Sequence, residues 1–353
     1  MQYSTFAAID IGSYDVILEI FEISKKQGIR SVDKICHRME LGKDTYTLGK
    51  IRPEMEEELC RVLADFVRIM EGYRVDDYRA AASSAISEAS NSLYVLGKIH
   101  QLTGLSVTVL SNSEQRFLSY KALAAMEDNF NKIIEKGTAI LDLDGGSFQI
   151  SLFDKDALVT TQNIRMGSLR IRERLAGIQS ETEHYEEMVE ELIWNEVSSF
   201  KKMYLKDRKI ENIMLIGDVF TDSVYQNIEE KTTKIISREN FNTWYEKIIR
   251  QSPMELAVKL GIPLENASLM YPSAVIYKCL IDMMGAEHIW IPGVHMTRGI
   301  AYEYAEQMKL LKGGHNFEND ILMAAKNIGK RYAVNRPHVQ NLEMTALAMF
   351  DAT

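Results

Sequence analysis

The sequence predicts an α/β protein of two similar lobes facing each other across a cleft, followed by a short helical tail. Three observations carry this. A strand, an aspartate-bearing Gly-Ser turn and a second strand occur twice, with the aspartates Asp10 and Asp142 lying 132 positions apart. Around each copy, short apolar runs alternate with longer segments of helical periodicity, as in α/β folds. The length of 353 residues exceeds one compact core and suits two lobes plus a remainder.

The elements follow in order. Phe6-Ala-Ala-Ile9 is a short buried strand, broken at Asp10 and Gly12-Ser13, and Val16–Ile23 returns as its hairpin partner, with Gly12 easing the turn. Pro53 opens a helix to about Tyr73, with Met55, Leu59, Val62, Phe66 and Ile69 at helical spacing. Arg79–Ile86 reads as a strand running into a loop, 90–102 as a helix, 106–110 as a strand, and Ser111 to about Met126 as a helix. The pattern then repeats: Thr138–Leu141 is a strand, Asp144-Gly-Gly-Ser147 turns, and Phe148–Phe153 alternates as a strand. A charged helix is expected over 181–206, a strand over 213–216, helices over 239–250, 253–260 and 272–283, a strand over 289–291 and a helix over 298–311. Gly313-Gly314 marks a hinge or linker, and 317–334 and 337–352 read as amphipathic helices. The division this suggests is a first lobe over 1–126, a second over 127–312 and a tail over 313–353. Two copies, rather than many, indicate an old duplication and not a solenoid.

Composition excludes several classes of function. The net charge of −9 leaves no global basic footprint for nucleic acid. Cys36, Cys60 and Cys279 match no metal or redox spacing and read as reduced thiols, and the seven scattered histidines form no H-x-x-x-H pair. No apolar run approaches a membrane span and no targeting segment is visible, so the expected location is the cytoplasm.

A strand that ends in aspartate and turns through Gly and Ser presents backbone N–H groups that cradle phosphate oxygens. The candidate phosphate-binding residues are therefore Gly12 and Ser13 in the first turn and Gly145, Gly146 and Ser147 in the second. Asp10 and Asp142 are placed to hold Mg²⁺, and such a carboxylate also serves to orient an attacking water.

From Ala7 to about Glu303 the chain resembles the Ppx/GppA family of exopolyphosphatases and guanosine-pentaphosphate phosphatases. The resemblance rests on AAIDIGS near the start, AAASSAISEASN at 80–91, VLSNSEQRFLSYKAL at 109–123, ILDLDGGSFQI at 140–150, RMGSLR at 165–170 and IWIPGVHMTRGIAYEY at 289–304. It implies two actin-like, ribonuclease H-like lobes around a central cleft, and release of terminal phosphates from polyphosphate or guanosine pentaphosphate with Mg²⁺. The Gly167-Ser168-Leu169-Arg170 turn falls at the cleft, with Arg170 its best remaining basic candidate beside the alternative of a surface salt bridge. The tail FENDILMAAKNIGKRY resembles the start of a C-terminal helical domain, most of which the chain is expected to lack.

The chain departs from the family pattern at its chemistry. In the run that carries the family's catalytic base, Ser111-Asn-Ser-Glu-Gln115, the base position is Gln115, and an amide accepts no proton from water at neutral pH. Glu114 is adjacent but reads as half of a Ser111-x-x-Glu114 capping box. The second turn has Asp144 in place of a glycine and Gln149 in place of a glutamate. The first turn continues into Tyr14 and Asp15 where a small polar pair is usual, the phosphate-binding arginine falls on Ser87, and the acid before the late glycine is Arg298. The expectation is a divergent phosphohydrolase of weak or lost activity. The alternatives are an active metal-dependent exopolyphosphatase using Glu114 or a cation that acidifies water, a non-catalytic regulator that binds a phosphorylated ligand, and an ATPase on the same architecture, for which Gly217-Asp-Val-Phe is a poor adenosine turn. The exposed helices at 317–352 also make a homodimer contact a candidate.

Overall fold

The computed structural model describes residues 3–126, 130–176, 185–205, 208–227, 235–311 and 315–352. The first apolar run forms β1 (Ser4–Ile11), which turns back into β2 (Asp15–Ser24) and on into β3 (Gly28–Arg38). After the helices Leu41–Leu48 and Pro53–Tyr73 come β4 (Asp77–Ala82), the helix Ser92–Thr103 and β5 (Val107–Val109). The sheet order is β3-β2-β1-β4-β5, with β1 antiparallel to β2 and parallel to β4. Both faces of β1 are buried because both are covered. Ala7, Ile9 and Ile11 lie in the core that includes Leu59, Leu63 and Ile99 of the two long helices, while Phe6 and Ala8 alternate onto the opposite face.

The second half repeats this plan. Strands β6 (Thr138–Leu143), β7 (Phe148–Asp154) and β8 (Ala157–Ile164) form an antiparallel meander, and β9 (Asn212–Ile216) lies parallel to β6. After β10 (Ile235–Ser237), β11 (His288–Trp290) adds in parallel beside β9, giving the order β10-β11-β9-β6-β7-β8. Aligning β1 with β6 makes β3-β2-β1-β4-β5 correspond to β8-β7-β6-β9-β11, with β10 as an extra antiparallel edge. The duplication read from two turns is thus a duplication of topology.

The differences from the sequence reading are physical. The third strand of each sheet, β3 and β8, carries too few apolar residues in a row to announce itself; pairing with β2 and β7 makes it a strand. The helix expected from Pro272 begins at Leu264 and runs to Met284 with Pro272 inside it. Burial of Leu269, Met270, Ala274 and Tyr277 on both sides of the proline outweighs its lost hydrogen bond. The charged helix is seen as Tyr185–Phe200 followed by a wider π-helical turn, Lys201–Leu205; its expected ends at 181–184 and 206, like Gly313-Gly314, lie outside the described residues.

The helix Met296–Gln307 comes late in the chain yet packs on the first sheet, with Ile300, Ala301 and Tyr304 against Phe6 and Ala8. It crosses the helix Asn112–Met126 so closely that a methyl on Gly299 would lie 2.0 Å from the Leu118 carbonyl oxygen. The tail helix Phe317–Arg331 docks on β8: Asp320 accepts from Leu158 N–H at 3.3 Å and pairs with His315 at 2.7 Å, and Asn327 donates to the Leu158 and Val159 carbonyls. The last helix, Arg336–Asp351, has no buried residue. No described helix is long and apolar enough to cross a membrane.

Candidate functional site

Asp10 and Asp142 stand near the carboxyl ends of the central strands β1 and β6, where each sheet changes from antiparallel to parallel pairing. This is where α/β sheets place their ligands. The turns that follow close alike, Gly12 N–H donating to the Asp15 carbonyl and Asp144 N–H to the Ser147 carbonyl, both at 2.9 Å. The turns also touch each other. A methyl on Gly145 would sit 3.0 Å from Ser13 Cβ and 3.2 Å from the Tyr14 ring. Gly167 is pressed against the second turn from behind, where a methyl would meet the Asp144 carbonyl oxygen at 2.2 Å.

Between the sheets lies a cavity of about 60 Å³. Asp10, Asp15, Asp142 and Asp144 face it, with Gln115 and Ser119 from successive turns of the helix Asn112–Met126, and His295. Asp10 Oδ1 is enclosed without a hydrogen-bond partner among the described residues. Burial holds its carboxyl well above the usual range, and the charges of Asp15, Asp144 and Asp142 add to this. Burial pushes Asp142 up to about 6, opposed by Ser119 Oγ, which donates to Oδ2 at 2.5 Å. Burial likewise pushes Asp144 up to about 7, although Gly145 N–H donates to its Oδ1 at 2.6 Å. Asp15 is raised by burial and restrained by Arg38 at 3.0 Å. Among the described residues no lysine or arginine lines the cavity, and His295 is 3.3 Å from Asp222. The donors are hard oxygens, and the orphaned Asp10 Oδ1 beside Asp142 fits a Mg²⁺ ion that takes one or two carboxylates and keeps its waters. No three carboxylate, histidine or cysteine side chains among the described residues form a ready cation cage.

Gln115 is thus brought together with Asp142 and Asp144. Glu114 is not: its Oε2 accepts from Ser111 N–H at 2.8 Å and Ser111 Oγ at 2.7 Å, and these bonds lower its pKa. It lines a separate groove between β4, β5 and the tail helix. Ser87 is exposed at the end of the short helix Ser84–Ser87. Gln149, opposite Asp142 on β7, is buried with no partner for Oε1 among the described residues. Arg298 donates to the Ile29 carbonyl at 3.3 Å, and burial lowers its pKa. Tyr14 reaches across from the first turn into the core of the second lobe, its hydroxyl 3.5 Å from the Gly217 carbonyl.

Three of the candidate phosphate-binding residues, Ser13, Gly146 and Arg170, meet at a side chain the sequence did not single out, while Gly12 lines the cavity. The Tyr46 hydroxyl lies 2.7 Å from Ser13 Oγ and 2.8 Å from Ser84 Oγ, and a methyl on Gly146 would be 2.1 Å from it. The Arg170 guanidinium lies 3.9 Å from the centre of the Tyr46 ring. It donates to the Gly146 carbonyl at 2.8 Å and to both Glu88 oxygens at 3.1 and 2.9 Å. Ser147 and Ser168 are buried. Of the residues missed, Ser119 had a signal in its position four residues after Gln115, and Ser84 and His295 lay within the matching segments 80–91 and 289–304; Tyr46 had none. Asp218, beneath Gly217, was passed over as part of a turn. It accepts from Thr221 N–H at 3.1 Å and Tyr277 hydroxyl at 3.3 Å, and burial pushes it up to about 7.

Two sheets of duplicated topology, with Asp-Gly-Ser turns meeting at the ends of their central strands, define the two-lobed actin-like class. The chain belongs to the Ppx/GppA phosphatase family, whose pattern matches residues 19–308. It is 21% identical over 310 residues to a bifunctional 3-dehydroquinate synthase/phosphatase of Fusobacterium nucleatum, covering 80% of this chain and 44% of that one. It is 25% identical over 144 residues to exopolyphosphatase 1 of Mycobacterium leprae, covering 40% of this chain and 41% of that one. The chain therefore spans less than half the length of these relatives. In solved structures the same fold is seen in an exopolyphosphatase from Cytophaga hutchinsonii, with TM-score 0.76, 17% identity and coverage of 86% of this chain and 98% of that one. The Aquifex aeolicus family member gives TM-score 0.70 and 17% identity, covering 87% and 99%.

Proposed function

We propose that this chain is a phosphohydrolase-fold protein whose hydrolysis of terminal phosphates is weak or lost, while its paired turns remain a site for a phosphorylated ligand of the polyphosphate or guanosine-pentaphosphate class. One observation carries the first part: the helix Asn112–Met126 turns an amide, Gln115, and a hydroxyl, Ser119, to the cavity of Asp142 and Asp144, and neither is a general base. The neighbouring glutamate is bonded to Ser111. Both Asp144 oxygens are engaged too, Oδ1 by Gly145 N–H and Oδ2 by Ser13 Oγ at 3.4 Å. A missing general base costs about 10²–10⁴-fold in rate.

Four acidic side chains and, among the described residues, no lysine or arginine offer a polyanion no favourable charge in the cavity unless a cation intervenes. Asp10 and Asp142 are the residues that would hold Mg²⁺, which when bound neutralises charge on phosphoryl oxygens. The orphaned Asp10 Oδ1 also favours a second reading, a metal-dependent hydrolase.

Phosphate release from polyphosphate and guanosine pentaphosphate, assayed in Mg²⁺ and in Mn²⁺, tests both. The expected result is slow or no release by the wild type and a rise of up to about 10²-fold in Gln115→Glu. Rapid release that Asp142→Ala abolishes would overturn the first reading; inertness in both metals removes the second.

A further inference from the structure

We propose that Tyr46 is an internal plug: its hydroxyl occupies the space between the two Gly-Ser turns that a phosphate-class oxyanion would take, so that such an anion binds only when Tyr46 moves aside. This rests on the reading that the paired turns are a phosphate site, and adds what controls access to it.

The hydroxyl's position is the first argument. Gly146 has no side chain, and the room this leaves is filled: a methyl there would meet Tyr46 Oη at 2.1 Å and Ser84 Oγ at 2.4 Å. At the hydroxyl stand two groups that suit an oxyanion, Ser13 Oγ and Ser84 Oγ, and the Arg170 guanidinium is stacked on the ring that carries it. The tyrosine thus makes contacts that a bound phosphate would otherwise make. Asp144 does likewise, taking the Gly145 amide that a nest offers to an anion. The ring itself fits only because residue 42 is glycine, where a methyl would lie 2.6 Å from it.

The second argument is what holds the plug. Tyr46 sits on the short helix Leu41–Leu48 of the first lobe, and Glu40, which precedes it, is gripped by Arg172 through contacts of 2.7 and 2.8 Å. Arg170 is held over the ring by Glu88. Both glutamates belong to the first half of the chain and both arginines to the second, so the plug and the closure of the lobes are one arrangement. Opening it would part Arg170 from Glu88 and Arg172 from Glu40, leaving Arg170 on the Gly146 carbonyl and Arg172 on Glu173.

The test is calorimetric binding of inorganic phosphate and of tripolyphosphate, at fixed Mg²⁺, to the wild type, Tyr46→Ala and Tyr46→Leu. Leucine keeps apolar bulk against Gly42 and Leu169 while vacating the hydroxyl's place, and decides the matter if the alanine variant does not fold. The plug predicts at least tenfold tighter binding by the folded variants. Affinity equal to or weaker than that of the wild type in a variant with unchanged circular dichroism overturns it. Phosphate release by the wild type and Gln115→Glu reports separately on the lost base and does not enter this comparison.

Discussion

Replacing Asp144 by asparagine should stabilise the protein, and more so as the pH rises. The carboxyl is pushed up to about 7 from an ordinary 3.8, chiefly by burial and then by the charges of Asp142 and Asp15. The folded protein therefore holds this proton after the unfolded chain has released it. The associated stability is fully present below about pH 4 and is lost as the pH rises through about 7. Three pKa units at 1.36 kcal/mol each set an upper limit of about 4 kcal/mol, and water in the adjoining cavity screens part of it. Asparagine keeps an oxygen for Gly145 N–H and removes the charge, while its amide nitrogen donates to Ser13 Oγ in place of the long 3.4 Å bond that Oδ2 accepts. Urea unfolding of wild type and Asp144→Asn at pH 4.5 and pH 8 measures this. The variant should gain about 1–3 kcal/mol more at pH 8 than at pH 4.5. An equal gain at both pH values, or a loss at pH 8, would show that the Asp144 charge is not confined as described.

Two further outcomes follow from the same packing. Gly299→Ala should cost about 1–3 kcal/mol by wedging apart the helices that meet at Leu118, read as a lowered thermal midpoint; an unchanged midpoint would mean that the crossing yields freely. Mg²⁺ at a hundred times its dissociation constant should raise stability by about 2.7 kcal/mol in the wild type and by much less in Asp10→Asn, whereas equal stabilisation of both would place the cation elsewhere.

The parts of this fold that were legible in the sequence are those fixed by near neighbours. β1 and β6 hold apolar runs, their turns carry Asp, Gly and Ser, and β7 alternates from Phe148 to Leu152, so each hairpin is written within about twenty residues of chain. Gln115 and Asp144 were legible as departures because flanking strands and helices kept their pattern. What was hidden depends on distant partners. β3 and β8 become strands because β2 and β7 offer them an edge, and Pro272 is carried through a helix because apolar neighbours bury it. Nothing in LGKDTYTL marks Tyr46; its role arises where it meets Gly146, one hundred positions later. Arg170 was noticed as a cation, but only the fold shows Glu88 and Tyr46 engaging it.

The late helix Met296–Gln307 has a consequence for how the molecule is made. Phe6, in β1, stacks on Tyr304 with ring centres 4.1 Å apart. At ribosomal rates of about 5–20 residues per second, that partner emerges roughly 15–60 s later. Throughout this interval Phe6, Ala8, Phe21 and Ile23 have Leu118 of the earlier helix Asn112–Met126 in their cluster but lack Ile300, Ala301 and Tyr304. The two halves share a topology but not an assembly schedule: the earlier one completes its packing only with a segment belonging to the later one.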